Sequence, residues 1–229
     1  MIHKIWLQNR AYSDANDPRS VPSNVQPMSS TRIENSAIMQ PQYRNRHHYV
    51  IFGGYLMRQT YELAFSCAAS FAHARPSFVS LDPSSFLNPV PVGSVLYLTA
   101  TVAYTDPPLF GVAGEGSDVR PQNRPGGQDG LQVDNMKKSI DSVTEHAQTR
   151  IQVRVDSRVR DIEHGTSKPT GQFNYTFTVS KDVRVLPQTY SELIYYLDAR
   201  RRATQADADR STSDRVVSMV KTEGPRVTE

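Results

Sequence analysis

The sequence holds one cysteine, Cys67, and one tryptophan among 229 residues. A single cysteine closes no intramolecular disulfide and builds no thiolate metal cluster. No apolar run approaches the ~18 residues that a membrane span needs. The first ten residues carry neither a long apolar core nor a cleavage signature, so no secretory signal is expected. An amphipathic, Arg-rich presequence is missing as well. Charge of one sign is also scarce: 26 Lys and Arg against 23 Asp and Glu leave +3, with an isoelectric point near 9.0. That mild excess admits an anionic ligand without requiring nucleic acid, and no nucleic acid is expected as a partner. Apolar residues make up only 38% of the chain, and the mean hydropathy is −0.52. A chain of this length can bury a full core, so the deficit must be concentrated in particular segments.

Three segments carry it. Residues 9–36 are rich in Ser, Pro, Asn and Asp, and Pro18, Pro22 and Pro27 break any helix there. Residues 106–149 hold six of the twelve glycines together with Pro107, Pro108, Pro121 and Pro125. Such a stretch has little to bury. From Arg200 onward large apolar residues are few, with Val216, Val217, Met219 and Val220 the exception. The expected organisation is an N-terminal arm over 1–37, one domain over 38–199 with a disordered insertion at 107–148, and a polar tail over 200–229.

The domain between them reads as α+β. Ser77–Leu81 forms a short strand and 95–104 a longer one. After the insertion, Ile151, Val153, Val155 and Val159 alternate with Arg150, Gln152, Arg154, Asp156 and Arg158, which predicts a strand with one buried face and one wet face. Phe173, Tyr175, Phe177 and Val179 repeat the pattern. The two strands flanking the insertion form an antiparallel hairpin with an enlarged loop. Residues 182–186 extend the sheet, and 190–197 form a short helix. One long helix opens at Gly53-Gly54 and closes before Arg75-Pro76. Leu56, Thr60, Leu63, Ala64, Cys67, Ala68 and Phe71 share one of its faces, and Tyr55, Tyr61, Phe65 and Ala69 make the opposite face only weakly polar. A helix apolar nearly all round is central. The predicted architecture is an antiparallel sheet wrapped around one long helix.

The stretch before and into that helix carries Pro41, Asn45, Phe52, Gly53, Gly54, Leu56 and Met57 in an order that resembles the acyl-CoA thioesterases of the hotdog fold. Residues 79–96, with Phe86, Pro89, Val90, Val92 and Gly93, resemble the segment that follows in that family. The likeness is to the C-terminal hotdog of the mitochondrial tandem-hotdog acyl-CoA thioesterases, and it leaves out the Gly-rich insertion and the tail. It implies a hotdog fold, an acyl-CoA substrate hydrolysed to a fatty acid and CoA, no cofactor beyond the CoA carried by the substrate, and a mitochondrial setting, with the cytoplasm as the alternative. It also implies a shared active site, built by Asn from one hotdog and Asp from another. The partner is then a second hotdog, in a homodimer or as an Asp-bearing unit.

The chemistry of these positions follows from the groups themselves. Thioester hydrolysis needs a polarised carbonyl and a delivered water. Unsatisfied N–H groups at a helix N-terminus favour the charge that develops on the carbonyl oxygen. Gly53 and Gly54 let a ligand approach that backbone closely, and Phe52 flanks it. Asn45 offers an amide donor or acceptor, and a carboxylate acts as general base. Many relatives carry that acid seven positions after the second glycine. Here Tyr61 stands there. Glu62 is next, turned by about 100°, and is the candidate base of an isolated chain. The catalytic candidates are therefore Asn45, Gly54 and Glu62. Phe52, Gly53, Arg150 and Arg154 are the substrate-binding candidates, the arginines as partners for CoA phosphates.

Each position also has a plainer reading: Gly53-Gly54 as turn chemistry, Asn45 as a cap, Glu62 as a structural acid, and the arginines as a solvated face. His47 and His48 are adjacent but have no third ligand at metal spacing, so no metal is expected. Cys67 falls at a core position of the helix. Two functions stand open: a thioesterase that needs a second hotdog to complete its site, and a hotdog that binds or scaffolds without turnover.

Overall fold

The structure, a computed structural model, describes residues 22–46, 49–84, 86–109, 148–162 and 164–222, with side chains as far as residue 208. Among the described residues, seven strands and two α-helices follow one another: β1 (Val25–Pro27), β2 (Ile33–Ile38), α1 (Gly53–Ala72), β3 (Ser77–Leu81), β4 (Val95–Asp106), β5 (Thr149–Arg160), β6 (Ser167–Val179), β7 (Arg184–Leu186) and α2 (Tyr190–Thr222). A five-stranded antiparallel sheet has the order β2-β4-β5-β6-β3, and β1 and β7 form a parallel pair beside it.

The inner face of the sheet curves around α1. Val102, Val153 and Tyr175 lie in one register row, and Ala100, Val155 and Phe173 in the next. All six side chains are buried. The helix meets them with Leu56, Thr60, Leu63, Ala64, Cys67, Ala68, Phe71 and Ala72, the face that the 3.6-residue spacing predicts. It ends at His73 in the left-handed conformation, two residues before Arg75-Pro76. The hairpin formed by β4 and β5 runs antiparallel from Val95↔Arg160 to Asp106↔Arg150, as the alternation predicts.

The expectation of an unstructured stretch through Ser36 is corrected within its described part. β1, a 3-10 turn at Met28–Thr31 and β2 lie there, and β2 pairs along β4 from Ile33↔Ala100 to Ile38↔Val95. β2 is an edge strand whose Glu34, Asn35 and Ser36 are exposed, so its composition looks like loop. The short helix expected at 190–197 and the polar tail expected from Arg200 are one helix, α2, through Thr222. Its first turn is closed by a reciprocal capping pair: Thr189 Oγ1 accepts from Glu192 N at 3.2 Å, and Glu192 Oε2 accepts from Thr189 N at 3.0 Å. Residues 182–186 do not extend the main sheet; β7 joins β1 instead. The core of the insertion expected at 107–148, and the arm before residue 22, lie outside the described residues.

α2 also overturns the expected wet face of β5. A bulge between Val102 and Tyr104 brings Tyr104 opposite Gln152 on the outer face. Tyr196 of α2 packs edge-on against Tyr104, with ring centroids 5.2 Å apart. Gln152 and Thr176 are buried beneath the helix layer.

Candidate active site

Two short backbone runs, 43–45 and 50–52, pair antiparallel just ahead of α1. Phe52 N donates to Tyr43 O at 2.9 Å, Asn45 N donates to Val50 O at 2.8 Å, and Arg44 bridges Ile51. This pairing holds the Asn45 loop against the start of α1. Two tyrosines secure it. The ring of Tyr43 stacks on that of Tyr55, in the first turn of α1, at 3.8 Å and 12°. Burial and the neighbouring Tyr43 hydroxyl raise the Tyr55 pKa, so its phenol stays protonated. The sequence reading missed this pair. Its signal was an aromatic residue on each side of the Asn…Gly-Gly run.

No side chain caps α1, whose N-cap residue is Phe52. Hydrogen bonding to the Phe52 carbonyl begins with Tyr55 N at 3.0 Å and Leu56 N at 3.3 Å. The N–H groups of Gly53 and Gly54 lie ahead of these bonds and point out of the helix end. A cavity of about 300 Å³ opens beside Gly53, walled by Val50, Ile51, Leu56, Phe86, Leu87 and Val90. A Cβ at Gly53 would stand 3.3 Å from the Phe86 ring, and one at Gly54 would drive the half-exposed Phe52 ring aside. Glycine at 53 keeps its N–H open to the cavity, and glycine at 54 leaves room for the Phe52 ring. Phe52, Gly53 and Gly54 are thus brought together at the helix start, where a carbonyl oxygen can meet two backbone donors, and Asn45 lies on the backbone pair that leads into it.

Glu62 is not brought there. It sits nine residues along α1 from Gly53, about 13 Å at the helical rise. Its carboxylate is exposed and pairs with Arg58 at 2.7 Å. That pairing raises the Arg58 pKa, first through the hydrogen bond to Glu62. Tyr61, seven positions after Gly54, turns into an aromatic cluster. Its ring meets Phe78 at 5.7 Å and Tyr175 at 5.9 Å, and Phe177 lies against the same group. Within the described residues of one chain, no carboxylate stands at the helix N-terminus.

The arginines expected to bind substrate lie elsewhere too. Arg150 donates to Asp207 of α2 at 2.6 Å, and Arg154 grips Asp156 through Nε at 3.0 Å and Nη2 at 2.9 Å. The Arg154 guanidinium lies 4.2 Å over the Tyr195 ring. Both bind the outer helix, on the side of the sheet away from α1. Cys67 is fully buried, its Sγ donating to Thr31 O at 3.2 Å, and burial pushes the thiol pKa up to about 12. It is a packing residue with no thiolate to offer. His47 and His48 lie outside the described residues. Among the described residues no cluster of His, Cys, Asp or Glu is arranged to hold a metal, and no helix is long and apolar enough to cross a membrane.

An antiparallel sheet wrapped around a long helix whose Gly-Gly start faces an apolar cavity defines a hotdog domain. An acyl-CoA hydrolase of Staphylococcus aureus, solved with butyryl coenzyme A, coenzyme A and coenzyme A disulfide, shares this fold at a TM-score of 0.60 and 22% identity, covering 86% of this chain and 99% of that one. A hexameric acyl-CoA thioesterase does so at 0.60 and 18%, covering 82% of this chain and 97% of that one. In sequence the chain is a homologue of the mitochondrial acyl-CoA thioesterases 9 and 10. It is 34% identical to acyl-coenzyme A thioesterase 9 of Homo sapiens over 208 residues, and 32% identical to acyl-coenzyme A thioesterase 10 of Mus musculus over 209. These alignments take in 87% and 88% of this chain but 36% and 37% of the relatives, so the chain spans just over a third of their length. No protein-family model matches it.

Proposed function

We propose that this chain is one hotdog of an acyl-CoA thioesterase and supplies the electrophile-binding half of a site completed by a second hotdog. The observation that carries the reading is the uncapped start of α1, with Gly53 open to an apolar cavity and Asn45 on the backbone pair that leads into the helix. The thioester carbonyl oxygen accepts from the two backbone N–H groups, which strengthen their hold as it gains charge. The Asn45 amide orients the carbonyl or the attacking water. The partner's carboxylate takes the proton from that water. The C–S bond breaks, and CoA leaves as the thiol after protonation. Water is the only co-reactant, and CoA belongs to the substrate. The mitochondrial names of its relatives support a mitochondrial setting.

Tyr61 supports a second reading, a hotdog that binds acyl-CoA without turning it over. A phenol locked among Phe78, Tyr175 and Phe177 supplies no base. Asn45→Ala separates the two in the assembled enzyme. The thioesterase reading expects a fall in kcat of about 10²-fold or more, with the far-ultraviolet circular dichroism unchanged. Unaltered turnover in that variant would remove Asn45 from the site.

A further inference from the structure

The thioester is the middle of the substrate. On one side lies the acyl chain, on the other the pantetheine arm and the phosphates of CoA. Arg150 and Arg154 of β5 are engaged by α2 and lie across the sheet from the start of α1. A different cation stands on the correct side.

The register leads to it. Phe86 walls the cavity at Gly53 and bridges Gly171 of β6. From there the chain runs alongside β6: Leu87 N donates to Thr170 O at 2.8 Å, and Asn88 Nδ2 donates to Pro169 O at 2.7 Å. Lys168 is the next residue of β6. It pairs with Val159, whose side chain is buried on the inner face. Paired residues of an antiparallel ladder point to the same face, so Lys168 belongs to the side of the sheet that holds α1. Arg158 and Arg160, one position to either side of Val159, point the other way.

Lys168 lines a cavity of about 550 Å³ between segment 88–94 and the end of the β5–β6 hairpin. This cavity shares Asn88 and Pro89 with the one at Gly53, so the two adjoin. Its walls include Val92, Val159 and Ile162, which suit a methylene-rich arm, and Ser94 and Thr166, which suit amides and hydroxyls. The lengths agree. Three residues of extended β6 separate Gly171 from Lys168, about 10 Å. Twelve atoms lie between the thioester sulfur and the first phosphorus of CoA, a span of thirteen bonds equal to just over four residues of extended chain, or at most ~16 Å. Among the described residues the cavity carries one carboxylate, Asp161, whose Oδ2 lies 3.0 Å from His164 Nδ1. No carboxylate among the described residues pairs with Lys168.

We propose that the cavity at Lys168 receives the pantetheine arm and that the Lys168 ammonium binds the CoA phosphates. The inference rests on the acyl-CoA reading above and names the residue that recognises the CoA end. The acyl chain then takes the apolar cavity at Val50, Leu56 and Phe86.

The test compares Lys168→Ala and Lys168→Glu with the unaltered full chain, each mixed with an Asp-bearing hotdog that completes the site. The substrates are butyryl-CoA and the butyryl thioester of N-acetylcysteamine, which keeps the reacting bond and lacks the phosphates. The alanine variant raises KM for butyryl-CoA about tenfold, the loss of one charge-assisted contact. The glutamate variant raises it further, and both leave KM for the truncated thioester within twofold. Titration calorimetry with free CoA and with pantetheine gives the same contrast without turnover. Equal CoA affinity in all three proteins overturns the assignment of Lys168, as does an equal rise in KM for both thioesters. An unaltered chain that binds CoA in a Lys168-dependent way but hydrolyses neither thioester, even with a partner hotdog, overturns the enzymatic reading and upholds the binding site. An unaltered chain that binds no CoA overturns both.

Discussion

The two faces of the five-stranded sheet are each covered by a helix, and the two contacts have opposite chemistry. Against α1 the sheet presents Val102, Val153, Val155, Phe173 and Phe177, all buried. Against α2 it presents Tyr104, Gln152, Arg150, Arg154 and Thr176, and α2 answers with Tyr196 and Asp207. The inner contact is non-directional and grows with apolar area. The outer contact depends on alignment and is incomplete. Asp82 and Arg202 face each other at 3.2 Å without an aligned hydrogen bond, and Gln152 Oε1 finds no partner among the described residues. Burial raises the Asp82 pKa while Arg202 pulls it down, so desolvation outweighs the ion pair. The comparison teaches that the inner layer carries stability and fixes the start of α1, while the outer layer is held by a few aromatic and small-residue contacts.

Truncation at each face sharpens that contrast. Phe177→Ala removes a ring that touches Tyr61, Phe65 and Phe78, and should cost about 3–5 kcal/mol in denaturant unfolding. A loss under 1 kcal/mol would break the claim that the inner layer dominates. Arg150→Ala removes a half-exposed ion pair with Asp207, and should cost under about 1 kcal/mol in the same experiment. A larger loss would move weight to the outer layer.

The same contrast explains what was legible in the sequence. α1 and the four strands β3 to β6 could be read because one-sided burial imposes a period on apolar residues. Gly53-Gly54 and Ser77–Leu81 marked boundaries that the structure keeps. β2 escaped because an edge strand needs few apolar residues, and its Glu34, Asn35 and Ser36 read as loop. α2 was cut short because its packing stripe continues beyond Tyr196 in alanines, Ala199 and Ala203, which lie flat on a sheet without looking hydrophobic. Arg150 and Arg154 were read as a wet face because alternation reports polarity and cannot show that a later helix will cover the polar side. At the site, the order of Asn45 and Gly54 was legible, and the 43–45 and 50–52 pairing joins the two stretches. The separation of Glu62 from both was legible only as a helical angle, and the rise along the axis makes it a distance. Lys168 carried no signal in the sequence, because it becomes part of a site only through its pairing with Val159 and its place beside Asn88.

The central claim is that one chain holds half of a hydrolytic site. It is tested by steady-state hydrolysis of butyryl-CoA by the purified full chain, alone and mixed with a hotdog domain that carries an aspartate on its central helix. The account predicts turnover near background for the chain alone and a rise of about 10²-fold or more on mixing, the contribution of a positioned general base. Full turnover by the chain alone, unchanged by the partner and abolished by Glu62→Gln, would contradict it.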